Sequence, residues 1–506
     1  MQILEKIANS VGLMERLTAI QSKQGELSYI SLWENSDRLA SWLEQQLQSD
    51  KTPVVVYGHK NPMMLVCFLA CVKSGRAYCP VDTSMPPERI ESIIKAVGNK
   101  VVLATEPLEV QSFTGFTVTG TDDINKAIQT SEPITKEHWV KADDIFYIIF
   151  TSGSSGTPKG VKISSDNLSR YTDWSVTLGD SPAGKKGMVF LNQAPFSFDL
   201  SVMDLYTCLA SGGTLHCIDK EMQSNTAEML EYMKSGDINY WISTPSFADM
   251  CLSDAGFNSQ LLPNLKVFLF CGEKLTNETA GKLYERFPNS IVVNTYGPTE
   301  STVAVTETVI TKEMIDFPEP LPIGRAKPGT DIIILKEDGH FACDGERGEI
   351  LIAGDTVSPG YFKNPKKTAE VFDVAEVNGK NVRTYRTGDE GYMVDGMVHY
   401  CGRIDLQVKL HGYRIELGDI EANLMQLEGV TGAAVVPKWN QGKIRYLVGF
   451  VVGNQSDRGF EDRKRVRASL REKLPEYMVP KKIVFIDQLP MTGNGKTDRK
   501  KLEEYM

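Results

Sequence analysis

The sequence predicts an α/β protein. A large N-terminal domain of α/β sheets, with a β-barrel-like subdomain, is joined by a hinge to a small α+β C-terminal domain. Three observations carry this expectation. Short apolar runs alternate with helical stretches through the first part of the chain. From about Pro322 to Tyr400 the texture changes to short strands and turns. A charged, turn-rich stretch, Arg403 to Gly418, then leads into a smaller α+β pattern. The expected division is residues 1–402, with the β-rich subdomain at about 320–400, and residues 403–506.

In chain order, Pro53–Gly58 reads as a strand and Met63–Gly75 as a buried helix ended by its glycine. Ala77–Asp82 is a second strand. Pro86–Gly98 then Lys100–Thr105 repeats the pattern, as do Leu200–Gly213 then Thr214–Asp219, Ala227–Gly236 then Ile238–Thr244, and Ala280–Phe287 then Ser290–Gly297. Strand–helix–strand alternation of this kind builds parallel-rich sheets. Gly348–Gly354 and Asp389–Gly402 read instead as antiparallel or barrel strands.

A chain of 506 residues suits two or three domains, and 41% hydrophobic with 24% charged residues is a globular composition. The formal net charge of -10 argues against nucleic acid as a main partner. It is unevenly spread, at +5 from Arg403 onward and -15 before it. A basic tail suits an anionic ligand or an acidic partner, and equally a solvated helix face at Arg463, Lys464, Arg465 and Arg467. The 9 cysteines form no C-x-x-C pair, so neither a disulfide framework nor a zinc site is expected. No signal peptide is read at the N-terminus, and the longest apolar run, Pro62–Val72, is too short to span a bilayer. A cytoplasmic protein with no transmembrane segment is expected. The oligomeric state is not legible.

The most informative motif is Tyr147-Ile-Ile-Phe-Thr-Ser-Gly-Ser-Ser-Gly-Thr-Pro-Lys-Gly160. An apolar strand runs into small hydroxyl and glycine residues closed by Pro158-Lys159-Gly160. Glycines let backbone N–H groups approach phosphate oxygens, hydroxyls add donors, and Lys159 adds charge. A Walker A loop is excluded, because Lys159 is followed by Gly160 and not by Ser or Thr. A flexible surface loop is the plain alternative for the Ser-Gly-Ser-Ser-Gly core alone.

Further motifs follow in order: Asn294-Thr-Tyr-Gly-Pro-Thr-Glu300, Gly348-Glu-Ile-Leu-Ile-Ala-Gly354, Tyr385-Arg-Thr-Gly-Asp389, Gly402-Arg-Ile-Asp405 leading into Gln407-Val-Lys-Leu-His-Gly412, and Asn494-Gly-Lys496. On these residues nearly the whole chain resembles the adenylate-forming superfamily of acyl-CoA synthetases, luciferases and the adenylation domains of nonribosomal peptide synthetases. The resemblance implies ATP and Mg²⁺ as cofactors. It implies ATP contacts from Thr151, Ser152, Gly153, Ser154 and Lys159; from Asn294, Thr295, Tyr296, Gly297, Pro298 and Thr299; and from Asp389, Tyr400, Gly402, Arg403 and Lys496. Tyr296 would stack on adenine, Asp389 would accept from the ribose hydroxyls, and Thr299 would meet the α-phosphate. Glu300 would hold the metal, which favours one or two carboxylates plus substrate phosphates. Lys496, Glu300 and Thr299 would be the catalytic set, and Asp405 the hinge. Outside the resemblance, Lys496 reads as a solvated lysine and Tyr385–Asp389 as a turn.

The substrate is read from Ala194-Pro-Phe-Ser-Phe-Asp-Leu-Ser201. Phe-Asp-x-Ser is what amino-acid-activating members carry, and Asp199 would pair with the substrate ammonium. The alternative is a helix N-cap, since an amphipathic helix follows. Cys271 and Val303 would narrow the pocket around a small side chain, with Lys496 on the carboxylate and Thr295 flanking the cavity. Cys271 as a clash against the L-enantiomer is the candidate source of a D-preference; it reads equally as packing at a strand end, and not as a nucleophile.

Over its length the chain most resembles stand-alone members that load D-alanine onto a separate carrier protein bearing phosphopantetheine, at the start of teichoic acid D-alanylation. A small-domain turn about Asp405 would withdraw Lys496 and present the segment around Gly412. The alternatives are a ligase for L-alanine, glycine or serine, a short-chain acyl-CoA synthetase, and a non-catalytic adenylate binder.

Overall fold

The computed structural model describes residues 1–109, 115–153, 158–180, 187–440, 443–453, 459–491 and 497–505. It is mixed α/β, with a large N-terminal domain and a smaller C-terminal one. Two sheets dominate the large domain. One has nine strands, of which Ile291–Tyr296, Val267–Phe270, Tyr240–Ser243, Val189–Asn192, Thr214–Cys217 and Thr18–Ser22 are neighbours in that order and run parallel. The other has six strands, with Val54–Tyr57 and Tyr78–Val81 parallel at its centre and an antiparallel pair, Ile145–Thr151 with Lys159–Ser164, at one edge. The central parallel strands read as near-continuous apolar runs because helices cover both faces.

The helix Met63–Lys73 is buried at every position from Met64 onward, which is why it carries no polar face. Pro87–Val97 is amphipathic instead. Proline at its first turn needs no N–H partner, and Gly98 ends it at φ 76°, in the left-handed region that favours glycine. A second core gathers around the fully buried Trp241, which packs on Phe247, Phe257 and Phe268.

The β-rich part is a five-stranded antiparallel sheet formed by Thr330–Leu335, Gly348–Gly354, Phe372–Val377, Lys380–Val394 and Met397–Arg403. Among the described residues no ladder closes it into a barrel, since Lys380–Val394 takes both neighbouring strands and the chain branches there. Residues 385–389 lie inside that long strand and form no turn; Gly388 sits at φ 69° beside a register shift.

The smaller domain carries the hairpin Gln407–Leu410 with Tyr413–Glu416 and a three-stranded sheet, Val430–Asn440, Lys443–Gly453 and Lys482–Phe485. Helices Leu417–Met425, Phe460–Lys473 and Arg499–Glu503 accompany it. Arg463, Lys464 and Arg465 are exposed on the second of these. No helix among the described residues is long and apolar enough to cross a membrane.

Candidate active site

The site lies beyond the carboxyl ends of the parallel strands, where open α/β sheets gather ligands. Thr151 ends one strand, Cys271 follows another, Tyr296 ends a third, and the loop after Asn192 delivers Asp199. The antiparallel sheet adds Asp389, Tyr400 and Arg403, and the small-domain hairpin closes the top. Phe198, Asp199, Cys271, Gly297, Pro298, Thr299, Val303, Asp389, Arg403, Lys409, Gly412 and Arg414 surround one cavity of about 30 Å³. That is room for about one water.

Asp199 begins the helix Leu200–Ser211 but makes no side-chain cap bond to it. Its Oδ2 accepts from the Thr299 hydroxyl at 2.6 Å. Among the described residues it has no ion-pair partner within 4 Å. Burial pushes its carboxyl above the ordinary range, against the opposing effect of Thr299. A buried carboxylate facing a cavity without a paired cation suits an incoming ammonium. Cys271 is buried beside it, with Sγ 3.7 Å from the Val303 carbonyl, and burial raises its thiol. That places Cys271 in the wall as a shape-setting group. Val303 and Thr302 hold positive φ, 70° and 63°. Such strain in β-branched residues concentrates at functional sites. Gly297 is required next to them, because a Cβ there would come within 2.6 Å of Ala304 Cα.

Glu300 is wholly buried. Its Oε2 accepts from Arg414 Nη1 at 2.6 Å, its Oε1 from the Tyr361 hydroxyl at 2.8 Å, and Lys159 Nζ lies 3.8 Å away. Burial alone would raise this carboxyl, but Arg414 and Lys159 outweigh it and hold it at about 2. Lys159 is also 3.7 Å from Glu416, and burial together with Arg414 pulls its ammonium down to about 8. Among the described residues no group of three or more His, Cys, Asp or Glu side chains could hold a metal. A single hard carboxylate with a lysine beside it does fit Mg²⁺ arriving with a nucleotide, once Arg414 leaves.

Asp389 accepts from the Tyr296 hydroxyl at 2.6 Å and from Arg403 Nη1 at 3.0 Å. The Asp389 carboxylate is therefore positioned by two donors. The Tyr296 and Tyr400 rings stand 6.2 Å apart, tilted by 37°. Arg403 also donates through Nε to Asp405 at 2.8 Å, which fixes the expected hinge residue against the sheet end.

Not every expected contact faces the cavity. Asn294 donates to the Pro322 carbonyl and Thr295 to the Phe270 carbonyl, each at 2.8 Å, so both side chains are spent on backbone acceptors. Thr151 donates to the Lys159 carbonyl at 3.4 Å. Ser152 bridges the domains, donating to the Arg414 carbonyl at 2.8 Å and accepting from the Glu416 N–H at 3.2 Å. Gly402 lies two residues after Tyr400 in the same strand, at φ 142° with open space where a Cβ would be. Ser154 and Lys496 lie outside the described residues.

Sequence reasoning missed Arg414, Tyr361 and Glu416. Arg414 had a usable signal, a cation in the short strand that follows Gly412. Tyr361, 61 residues from Glu300, had none.

A profile of the family described as "AMP-binding enzyme" matches residues 9–362, and one described as "AMP-binding enzyme C-terminal domain" matches 419–496. A protein of Bacillus mycoides called D-alanine--D-alanyl carrier protein ligase is 45% identical over 506 residues, covering 99% of each chain. One of the same name from Bacillus cereus is 44% identical with the same coverage. Among solved structures, an NRPS protein containing adenylation and PCP domains superposes with a TM-score of 0.85 at 25% identity, over 100% of this chain and 84% of that one. The Vibrio cholerae adenylation domain AlmE, in complex with glycyl-adenosine-5'-phosphate, gives 0.84 at 24% identity, over 99% and 97%. The strand-end site, its buried lysine and these matches converge: the chain belongs to the AMP-binding, adenylate-forming enzyme family.

Proposed function

We propose that the protein is an AMP-forming ligase that activates D-alanine with ATP and transfers it to the phosphopantetheine thiol of a separate carrier protein. The observation that carries the substrate class is Asp199, a buried carboxylate with no ion pair of its own among the described residues, lining the cavity beside Cys271 and Val303. The full-length likeness to ligases named for D-alanine and a D-alanyl carrier protein supports the choice of substrate and acceptor.

In the first half-reaction the ammonium of D-alanine pairs with Asp199, displacing the Thr299 hydroxyl. Thr299 is then free to donate to the α-phosphate. Tyr296 takes the adenine, Asp389 the ribose, and Lys159 with the Thr151–Gly156 loop the β/γ-phosphates. Glu300 is the carboxylate that would hold Mg²⁺, which neutralises phosphate charge when bound. Lys496 stabilises the carboxylate and α-phosphate as they join, in a step that is mostly positioning and electrostatics. The products are D-alanyl-AMP and pyrophosphate. Cys271 and Val303 leave space for one methyl, and Cys271 stands where the L-enantiomer would press.

In the second half-reaction the small domain, residues 403–506, has turned about Asp405, and the carrier thiol gives up its proton to solvent and attacks the acyl carbon, forming the thioester and displacing AMP. Support comes from the seating of Gly412, whose N–H donates to Glu273 Oε1 at 2.8 Å, at the cavity edge. The exposed Arg463, Lys464 and Arg465 offer an acidic carrier a docking face. We place the enzyme in the cytoplasm, supplying teichoic acid D-alanylation.

ATP–pyrophosphate exchange with D-alanine, L-alanine, glycine, D-serine and acetate, with Lys496→Ala as control, tests this reading. Exchange should be strongest with D-alanine and collapse in the variant. Exchange with acetate in preference would overturn the amino-acid assignment, and none with any acid would overturn the ligase.

A further inference from the structure

Lys60 is wholly buried, and among the described residues no carboxylate oxygen lies within 4 Å of its ammonium. It follows the strand Val54–Tyr57 of the six-stranded sheet and reaches across to the nine-stranded one. There it donates to Asn192 Oδ1, at the end of the strand Val189–Asn192, and to the Ala194 carbonyl. Its Nζ also stands 4.5 Å from the centroid of the Phe196 ring. Asn192 in turn donates to Asp204 Oδ1 at 2.8 Å, while Asp204 Oδ2 has no hydrogen-bond partner among the described residues. Burial raises the Asp204 carboxyl, and the charge of Lys60 is the largest effect opposing it. Asp199 lies between these anchors. Asn192, Ala194 and Phe196 precede it, and Asp204 follows it on the helix Leu200–Ser211 that Asp199 begins.

We propose that Lys60 is a positioning residue for the substrate amine: it ties the loop 192–199 to the six-stranded sheet, so that Asp199 stands where an ammonium can reach it. This deepens the amino-acid reading above and rests on it. Asp199 makes no side-chain bond to its own helix, and the Thr299 hydroxyl that holds it here is displaced in the proposed reaction. From then on the place of the carboxylate is set by its backbone, and that backbone is anchored through Lys60. A buried lysine is costly, and an apolar side chain of similar length would fill the same space without that cost. What the charge adds is a directed hold on two oxygens and a ring face at once, which takes the three donors of an ammonium.

The test separates positioning from charge balance in the full-length protein. Lys60→Met removes the hold but leaves Asp204 without an opposing charge. Adding Asp204→Asn removes both charges, and Asp204→Asn alone keeps the hold. ATP–pyrophosphate exchange gives KM for D-alanine and for ATP in each variant, with circular dichroism to establish folding at the assay temperature. In the double variant KM for D-alanine should rise about tenfold, the worth of one hydrogen bond to a charged group. KM for ATP should stay within about twofold of the wild type. Asp204→Asn alone should leave both constants near their wild-type values. Peptides covering residues 193–199 should exchange amide hydrogen about tenfold faster in the double variant, while the strand Val267–Phe270 keeps its protection. Phe196→Leu, which removes only the ring from the hold, should raise KM for D-alanine about threefold and serves where the Lys60 variants do not fold. A double variant with the wild-type KM for D-alanine, two KM values that rise together, or unchanged amide exchange at 193–199 would overturn the proposal. Wild-type exchange with D-alanine, run alongside, separates this failure from failure of the functional reading.

Discussion

Gly412→Ala isolates the second half-reaction. Gly412 is the tip of the hairpin, at φ 82°, and a Cβ added there would fall far inside the van der Waals envelope of Thr244 Cγ2 and 3.5 Å from Phe198 Cε1. Two penalties follow, and they differ in when they act. The left-handed backbone costs alanine about 1 kcal/mol wherever the small domain sits. The clash with Thr244 exists only when the hairpin is seated, and overpacking of this kind costs about 1–3 kcal/mol. Only the second changes the balance between domain arrangements, so the seated population should fall by about 5- to 150-fold. Thr244 stands between the buried strand Tyr240–Ser243 and the helix Pro245–Leu252, which limits how far its backbone can retreat. The assay measures the half-reactions separately: ATP–pyrophosphate exchange for adenylation, and single-turnover transfer from preformed adenylate to the carrier. Transfer should drop by the stated factor while exchange stays near the wild-type rate. Equal losses in both, or undiminished transfer, would refute the reasoning that the seated hairpin serves thiol transfer.

Asp199→Asn should raise the melting temperature at neutral pH while abolishing amino-acid-dependent exchange. Burial raises the Asp199 carboxyl, so its ionisation costs stability as pH rises through the raised value, and the gain in the variant should vanish below the ordinary carboxylate range. Glu300 behaves in the opposite sense. Its carboxyl is held down from 4.5 to about 2, so its contribution is full above 4.5 and is lost as pH falls toward 2. A shift of that size corresponds to roughly 3 kcal/mol. Urea unfolding of Glu300→Gln between pH 7 and pH 2 should show that loss at neutral pH and a flatter acid limb. Cys271→Ala should raise the rate of L-alanine exchange relative to D-alanine, by no more than about 200-fold, since removal of one small group from an apolar wall is worth about 1–3 kcal/mol. An unchanged enantiomer ratio would return Cys271 to simple packing.

The alternating elements were legible because they obey local rules. Apolar runs ending in glycine, as at Pro87–Gly98, carry both a period and a stop within one stretch of chain. The β-rich subdomain was legible as antiparallel, but its branch at Lys380–Val394 was not, because which strands pair is decided by residues far apart. Candidate side chains divided along the same line. Asp199, Glu300 and Lys159 stand in motifs whose neighbours announce them. Asn294 and Thr295 stand in an equally clear motif, yet their side chains are consumed by the Pro322 and Phe270 carbonyls, which no local pattern reveals.

By itself, then, the sequence determined the fold class, the family resemblance and the chemical types gathered at the site: two carboxylates, Asp199 and Glu300, and a lysine, Lys159. These follow from motifs in which a few adjacent residues set backbone shape and charge together. The tertiary structure alone decided how those charges are balanced. It set Thr299 on Asp199, Tyr296 and Arg403 on Asp389, and Arg414 from another domain on Glu300. The physical reason is that the energy of a buried charge depends on which partner reaches it and on how much water is excluded. Both are properties of the packed arrangement and not of neighbours along the chain.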